Sequence, residues 1–243
     1  MQANPWIAGM LAVTVCAGCA HRQGTAPALK AKAAGAAIVV VSGDKQLGFT
    51  GALLAQPLVV QVNDDQGNAV PGALVAVTGP RGVAVDPAQV LTDDSGQATI
   101  KVMSRGSSGR YEVTATSQDA HGKAFTLAVA EYAAGYQEEV GSEVNGKYCS
   151  RCHDPESTTE QVSNYDNLSV KPHSFASGDA YNKFSDADLA NIIARGGPAM
   201  NRSAQMPPYG WTLNKAEIQA AIAYIRLVSD PPYAAPGVVY AKH

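Results

Sequence analysis

Charge is scarce in this 243-residue chain: 16% of its residues are Asp, Glu, Lys or Arg, and the net charge is only −3. A protein that grips nucleic acid by its phosphates needs a basic face, and none is supplied, so no nucleic-acid partner is expected. Long apolar runs are missing too. No stretch approaches the roughly 18–20 apolar residues that cross a bilayer as a helix. Cysteine is limited to Cys16, Cys19, Cys149 and Cys152, two Cys-x-x-Cys pairs, of which only the second is directly followed by a histidine. A structural zinc site wants two further ligands at similar spacing, and the other pair, Cys16 and Cys19, lies within an apolar run at the far end of the sequence. A thioredoxin-like redox pair wants a βαβ setting, which is also absent.

What is present begins with residues 7–20, an apolar run ending in small residues like the core of a secretory signal. Within it, Val15-Cys16-Ala17-Gly18-Cys19 resembles a bacterial lipoprotein signal, with small residues directly before a cysteine. The resemblance implies cleavage before Cys19 and lipidation of its thiol. The product is then lipid-anchored to a membrane, on the periplasmic side or at the cell surface. Ala20, where Asp would retain the protein at the inner membrane, leans toward the outer membrane. Two departures stand out: Cys16 occupies a position usually held by Leu or Val, and residues 1–6 carry no Lys or Arg. An ordinary cleaved signal without lipid is the competing expectation. Residues 1–18 are thus expected to be signal peptide. Residues 19–37, Ala/Gly/Lys-rich and without an apolar face, are expected to be a flexible tether.

Residues 38–132 alternate with period two. Leu58-Val60-Val62, Val75-Val77, Ala98-Ile100-Val102, Tyr111-Val113-Ala115 and Phe125-Leu127-Val129 each place alternate apolar residues on one face. Turn sequences such as Asp64-Asp65-Gln66-Gly67, Gly79-Pro80-Arg81-Gly82 and Asp93-Asp94-Ser95-Gly96 separate them. About seven short strands are expected, folded as an antiparallel β-sandwich. No catalytic dyad or His/Cys cluster is found here, and His121 reads as a solvated turn residue. The strings Gln56-Pro57-Leu58-Val59-Val60, Asp65-x-Gly67-Asn68-x-x-Pro71-Gly72 and Thr92-Asp93-x-x-Gly96-Gln97-Ala98 resemble bacterial immunoglobulin-like domains of the invasin/intimin type. Such a domain is a spacer or an interaction surface, with a carbohydrate or protein ligand as the alternative.

After Tyr132 the period becomes helical. Ser185 with Asp188, and Asn214 with Glu217, form capping-box pairs. The first helix is expected to stop at Gly196-Gly197, and the second carries Ile218, Ala221, Ile222, Ile225 and Val228 on one face. A small all-α domain is therefore expected over residues 135–230, followed by a tail over 231–243.

Cys149-Ser150-Arg151-Cys152-His153 is a c-type haem attachment signature. Each thiol adds across a haem vinyl group, two residues span the attachment points, and the adjacent histidine falls beneath the iron. Downstream, Lys171-Pro172-x-x-Phe175, Phe184-Ser185-Asp186-x-Asp188-Leu189, Ser203-x-x-Met206-Pro207-Pro208-x-Gly210 and Ile222-Ala223-Tyr224-Ile225-Arg226 resemble a class I c-type cytochrome of the respiratory carrier and oxidase-subunit type. The likeness implies one covalent haem c, thioethers from Cys149 and Cys152, His153 as proximal ligand and Met206 as distal ligand. Met200 lacks the following proline and is read as a core residue; His173 is read as an exposed loop residue and His243 as terminal. An aromatic residue usual four positions before the first cysteine is replaced by Asn145, so the first helix is expected to meet the last through Gly141, Val144 and Tyr224. A proline carbonyl should accept the Nδ1–H of His153, and Pro155 and Pro172 are both candidates. Trp211 is expected to pack in the core or over the haem.

Two strong-field axial ligands leave no open site on iron, which favours electron transfer over catalysis. The expected function is a membrane-tethered single-haem electron carrier rather than an enzyme, with redox proteins as donor and acceptor. Residues 138–230 hold 8 Lys/Arg and 12 Asp/Glu, which mildly favours a neutral or basic patch on the partner. Two other functions stay open: a haem sensor, if Met206 dissociates, and a haem-bearing interaction subunit of a larger dehydrogenase, oxidase or surface complex.

Overall fold

A computed structural model describes residues 29–154 and 164–234; Cys16, Cys19, Pro155 and His243 lie outside them. Among the described residues nine strands form the first part: β1 (Ala37–Ser42), β2 (Leu47–Phe49), β3 (Leu58–Asn63), β4 (Leu74–Thr78), β5 (Ala84–Asp86), β6 (Gln89–Leu91), β7 (Gln97–Met103), β8 (Gly109–Gln118) and β9 (Ala124–Ala134). They make two sheets, ordered β1-β3-β7-β5 and β2-β9-β8-β4-β6. The alternating residues face inward from both. Leu58, Val60, Val62, Ala98, Ile100 and Val102 come from one sheet, and Val75, Val77, Val113, Ala115 and Val129 from the other. Burial of each Val, Leu or Ile is worth roughly 1.5–3 kcal/mol.

Three turns repeat one device. Asp64, Asp93 and Asp119 each accept backbone N–H bonds two and four residues on, at 2.8–2.9 Å. The glycine three residues along, Gly67, Gly96 or Gly122, takes a positive φ that other residues resist. His121, in the last of these turns, is exposed.

Two expectations need correction. The sandwich is not wholly antiparallel: β2 pairs parallel with the end of β9, Leu47 opposite Tyr132 and Phe49 opposite Ala134. The chain leaves β1 through Gly43 and Lys45, both at positive φ, and switches sheets there. Three residues are too few for alternation to reveal such a strand. Residues 32–36, read as the end of a tether, lie along the sandwich, with Lys32 and Ala33 N–H bonded to the Gly72 carbonyl and Ala36 N–H to the Asn63 carbonyl.

A single glycine, Gly135, separates β9 from α1 (Tyr136–Val144). A π-helical stretch, Asn145–Cys149, continues α1 into α2 (Ser150–His153); α3 (Gly178–Tyr181), α4 (Asp186–Arg195) and α5 (Lys215–Val228) follow. Both expected capping boxes are formed: Ser185 Oγ accepts from Asp188 N–H at 3.1 Å, and Asn214 Oδ1 from Glu217 N–H at 3.0 Å. Gly196, at φ 81°, ends α4. Regular structure in this part is helical, but loops fill 168–177 and 201–214, so helical content is modest. A second core gathers Val144, Phe175, Leu189, Ile193, Leu213, Ile218, Ile222 and Ile225. Its key contact is the crossing of α1 and α5, where Gly141 sits so close to Ala220 that a methyl group would strike the Ala220 carbonyl oxygen and approach Tyr224 Cβ at 2.8 Å. Asn145, in the place of the usual aromatic, is buried and hydrogen-bonds Tyr224 through its side chain.

The two parts touch. Arg110 of β8 binds Asp230, just beyond α5, at 3.0 Å. Asp230 in turn bridges to Ser177 beside α3: Gly178 N–H donates to the Asp230 carbonyl at 2.9 Å, and Asp230 N–H to the Ala176 carbonyl at 2.8 Å.

Candidate haem site

The π-helical stretch ends at Cys149, and α2 carries Cys152 and His153. Such widened turns are frequent at functional sites. All three side chains line one cavity of about 320 Å³. Its walls are mainly apolar, with Phe175, Leu189, Ile193, Leu213 and Ile225 among them, and both Met200 and Met206 contribute. The structure thus brings together all four residues that the sequence reading put at the haem.

The Met206 loop is laced to its surroundings. Gly197 N–H donates to the Met206 carbonyl at 3.0 Å, Tyr209 N–H to the Ile193 carbonyl at 2.9 Å, and Gly210 N–H to the Ala194 carbonyl at 2.9 Å. Gly196 has no room for a side chain, since a Cβ there would lie 2.8 Å from the Met206 oxygen. The Tyr209 hydroxyl donates to the Tyr148 carbonyl at 2.9 Å, joining this loop to the turn that carries the cysteines. Met200 differs from Met206 in one respect: its sulfur accepts a hydrogen bond from Asn191 Nδ2 at 3.4 Å.

His153 is held on its edge and on its face. Its Nδ1 lies 3.0 Å from the His173 carbonyl and 2.9 Å from the Tyr181 hydroxyl. Phe175 stacks on the ring, centroids 4.6 Å apart and planes 17° from parallel. The acceptor is therefore the carbonyl of His173, one residue beyond the Pro172 considered from sequence. The His173 side chain stays exposed, as expected.

Burial sets the protonation of the site. Desolvation pushes the Cys149 thiol up to about 12, with Cys152 adding to the effect, so the thiol is neutral. Desolvation likewise lowers the His153 pKa, outweighing its bond to His173, and keeps the imidazole neutral near pH 7. The Tyr181 phenol is pushed upward by burial. Two free thiols, a neutral imidazole fixed through Nδ1, a thioether and apolar walls make a donor set that fits haem c.

Residues 137–225 match the family model for cytochrome C oxidase, cbb3-type, subunit III. This part is a cytochrome c domain. Its family associates it with haem and electron transfer. Comparison with curated proteins found no match. Solved structures similar to the chain over its N-terminal part include the D00-D0 domain of intimin (18% identical, 38% of this chain and 46% of that one, TM-score 0.31). Another is invasin, a bacterial integrin-binding protein (19% identical, 41% of this chain and 19% of that one, TM-score 0.28). The chain spans less than half of either structure.

Three residues of the cytochrome c domain's site escaped the sequence reading. Asn191 and Tyr181 are partners of a side chain and a carbonyl distant in sequence, so no local signal marks them. Arg226 appeared only as a letter in a motif, yet its guanidinium donates to the Phe184 and Tyr181 carbonyls at 2.6 and 3.2 Å and to Asp186 at 3.0 Å. Trp211 corrects an expectation. It is 99% exposed and neither fills the core nor lines the cavity, because the Tyr209 and Leu213 side chains on either side of it take the inward positions.

Proposed function

We propose that this chain is a membrane-tethered, single-haem electron carrier of the class I, all-α type, presented by an immunoglobulin-like spacer. Cys149 and Cys152 hold the haem covalently, His153 is its proximal ligand and Met206 its distal ligand. Haem held this way supplies reversible one-electron exchange between ferric and ferrous iron. The protein contributes a dry pocket, two fixed axial ligands and an apolar wall that limits reorganisation during transfer. Donor and acceptor are redox proteins, and Cys19 carries the lipid that keeps the chain on the periplasmic side or cell surface, with the outer membrane favoured.

The observation that carries this reading is the state of the two candidate sulfurs and of the imidazole. Met200 already accepts a hydrogen bond, whereas His153 is committed through Nδ1 and keeps Nε2 for iron. Full chain matured with haem should show one haem per chain by mass, unreleased by acid-acetone extraction. Its ferric form should show the weak red methionine–iron band at neutral pH. Met206→Ala should abolish that band and Met200→Leu should preserve it. The reverse pattern overturns the ligand assignment. A wild-type protein without the band, binding carbon monoxide readily, supports a haem sensor instead. Globomycin-sensitive processing, lost in Cys19→Ala, tests the anchor.

A further inference from the structure

We propose that Tyr181 is a positioning residue for His153: its hydroxyl closes a three-cornered hydrogen-bond ring with His153 Nδ1 and the His173 carbonyl, fixing the tautomer and rotation of the imidazole and lowering the reduction potential of the haem it binds. The inference rests on the reading of His153 as the axial ligand.

The ring follows from counting protons. Its sides are 2.7 Å from Tyr181 Oη to the His173 oxygen, 3.0 Å from that oxygen to His153 Nδ1, and 2.9 Å from Nδ1 to Oη. A carbonyl oxygen brings no proton, so each of its two neighbours must donate to it. The Tyr181 O–H therefore points at the His173 oxygen, and Nδ1 carries a proton shared between that oxygen and Oη. The other arrangement, with Tyr181 donating to a bare Nδ1, leaves two acceptors facing each other at 3.0 Å. Only the first satisfies all three atoms. It leaves Nε2 with a free lone pair.

Tyr181 is itself held in place. Arg226 of α5 donates to its carbonyl at 3.2 Å. Its ring packs edge-on against Phe175, centroids 5.4 Å apart, and Phe175 stacks on His153. The imidazole is thus fixed on its face by one aromatic and on its edge by the ring of bonds. Two acceptors on one N–H draw that proton away from the imidazole more than one does, which makes Nε2 a stronger donor and favours ferric iron.

The test is Tyr181→Phe in the full-length protein carrying haem. Phenylalanine keeps the contact with Phe175 and removes one acceptor. The midpoint potential should rise, and exchange of the Nδ1 proton in the ferrous protein, followed by NMR, should quicken roughly fivefold, the loss of one net hydrogen bond. Covalent haem content and the methionine–iron band should not change. An unshifted potential with unchanged proton exchange overturns the proposal. Wild-type protein without covalent, six-coordinate haem overturns the underlying ligand reading instead. Should Tyr181→Phe fail to fold, the wild-type ferrous protein decides alone. A nuclear Overhauser contact between the Nδ1 proton and the Tyr181 ring supports the ring, and its absence overturns it.

Discussion

Glu131 has no solvent exposure, one carboxylate oxygen bound to Gln46 N–H at 2.8 Å and the other without a partner among the described residues. The Tyr111 hydroxyl, on the residue directly across the ladder, is also buried without a partner among the described residues. Desolvation raises the Glu131 pKa from 4.5 to about 7, opposed by the Gln46 bond and assisted by Asp44. A raised carboxyl favours the folded state while protonated. Its contribution is complete below about pH 4.5 and is lost as pH climbs through 7, a change of about 3 kcal/mol. The turn aspartates Asp64, Asp93 and Asp119 act oppositely: hydrogen bonds lower their pKa values, so they lose stabilisation only under acid. Urea unfolding should thus show higher stability at pH 5 than at pH 8, and Glu131→Gln should flatten that difference. At the opposite extreme, Trp211 buries nothing, so Trp211→Ala should change stability by no more than about 0.5 kcal/mol in the same assay.

Among the elements, the α1–α5 crossing depends on a single missing methyl group. Gly141→Ala pushes a Cβ onto the Ala220 carbonyl, and backbone cannot yield as a flexible side chain can. A loss of about 3 kcal/mol is expected, together with reduced haem incorporation, read by thermal melting and by haem content. This crossing was legible in sequence, as were the inward faces of β3, β4, β7, β8 and β9 and both capping boxes, because each is written in residues a few positions apart. Strands β2, β5 and β6 were not, since three residues carry no period. Glu131 was in principle legible: the alternation Phe125, Leu127, Val129 continues to position 131 on the inward face. A charged residue simply breaks the apolar pattern that marks a strand. The residues proposed as haem ligands were visible in motifs, but the His173 carbonyl and the Tyr181 hydroxyl depend on chain paths that no motif records.

For the molecule as a whole, the sandwich and the cytochrome c domain have separate cores, joined by the β9–α1 junction and by Arg110–Asp230. That ion pair is partly exposed and worth about 0.2–1 kcal/mol. Arg110→Ala should therefore cost at most about 1 kcal/mol. Its larger effect should be local: faster amide hydrogen exchange at Gly178 and Asp230, measured by NMR, because the bridge between them loses its external brace. Protection unchanged at both amides would show that the bridge stands without Arg110.

The direct passage from β9 to α1 also orders events in time. Strand β9 lies inside its sheet, between β2 and β8, so the sandwich cannot close until residue 134 has been delivered. Helix α1 begins two residues later, and Cys149 follows 15 residues after Ala134. As the chain emerges from N to C, the sandwich therefore finishes folding only as Cys149 and Cys152 arrive, and the two halves mature almost together.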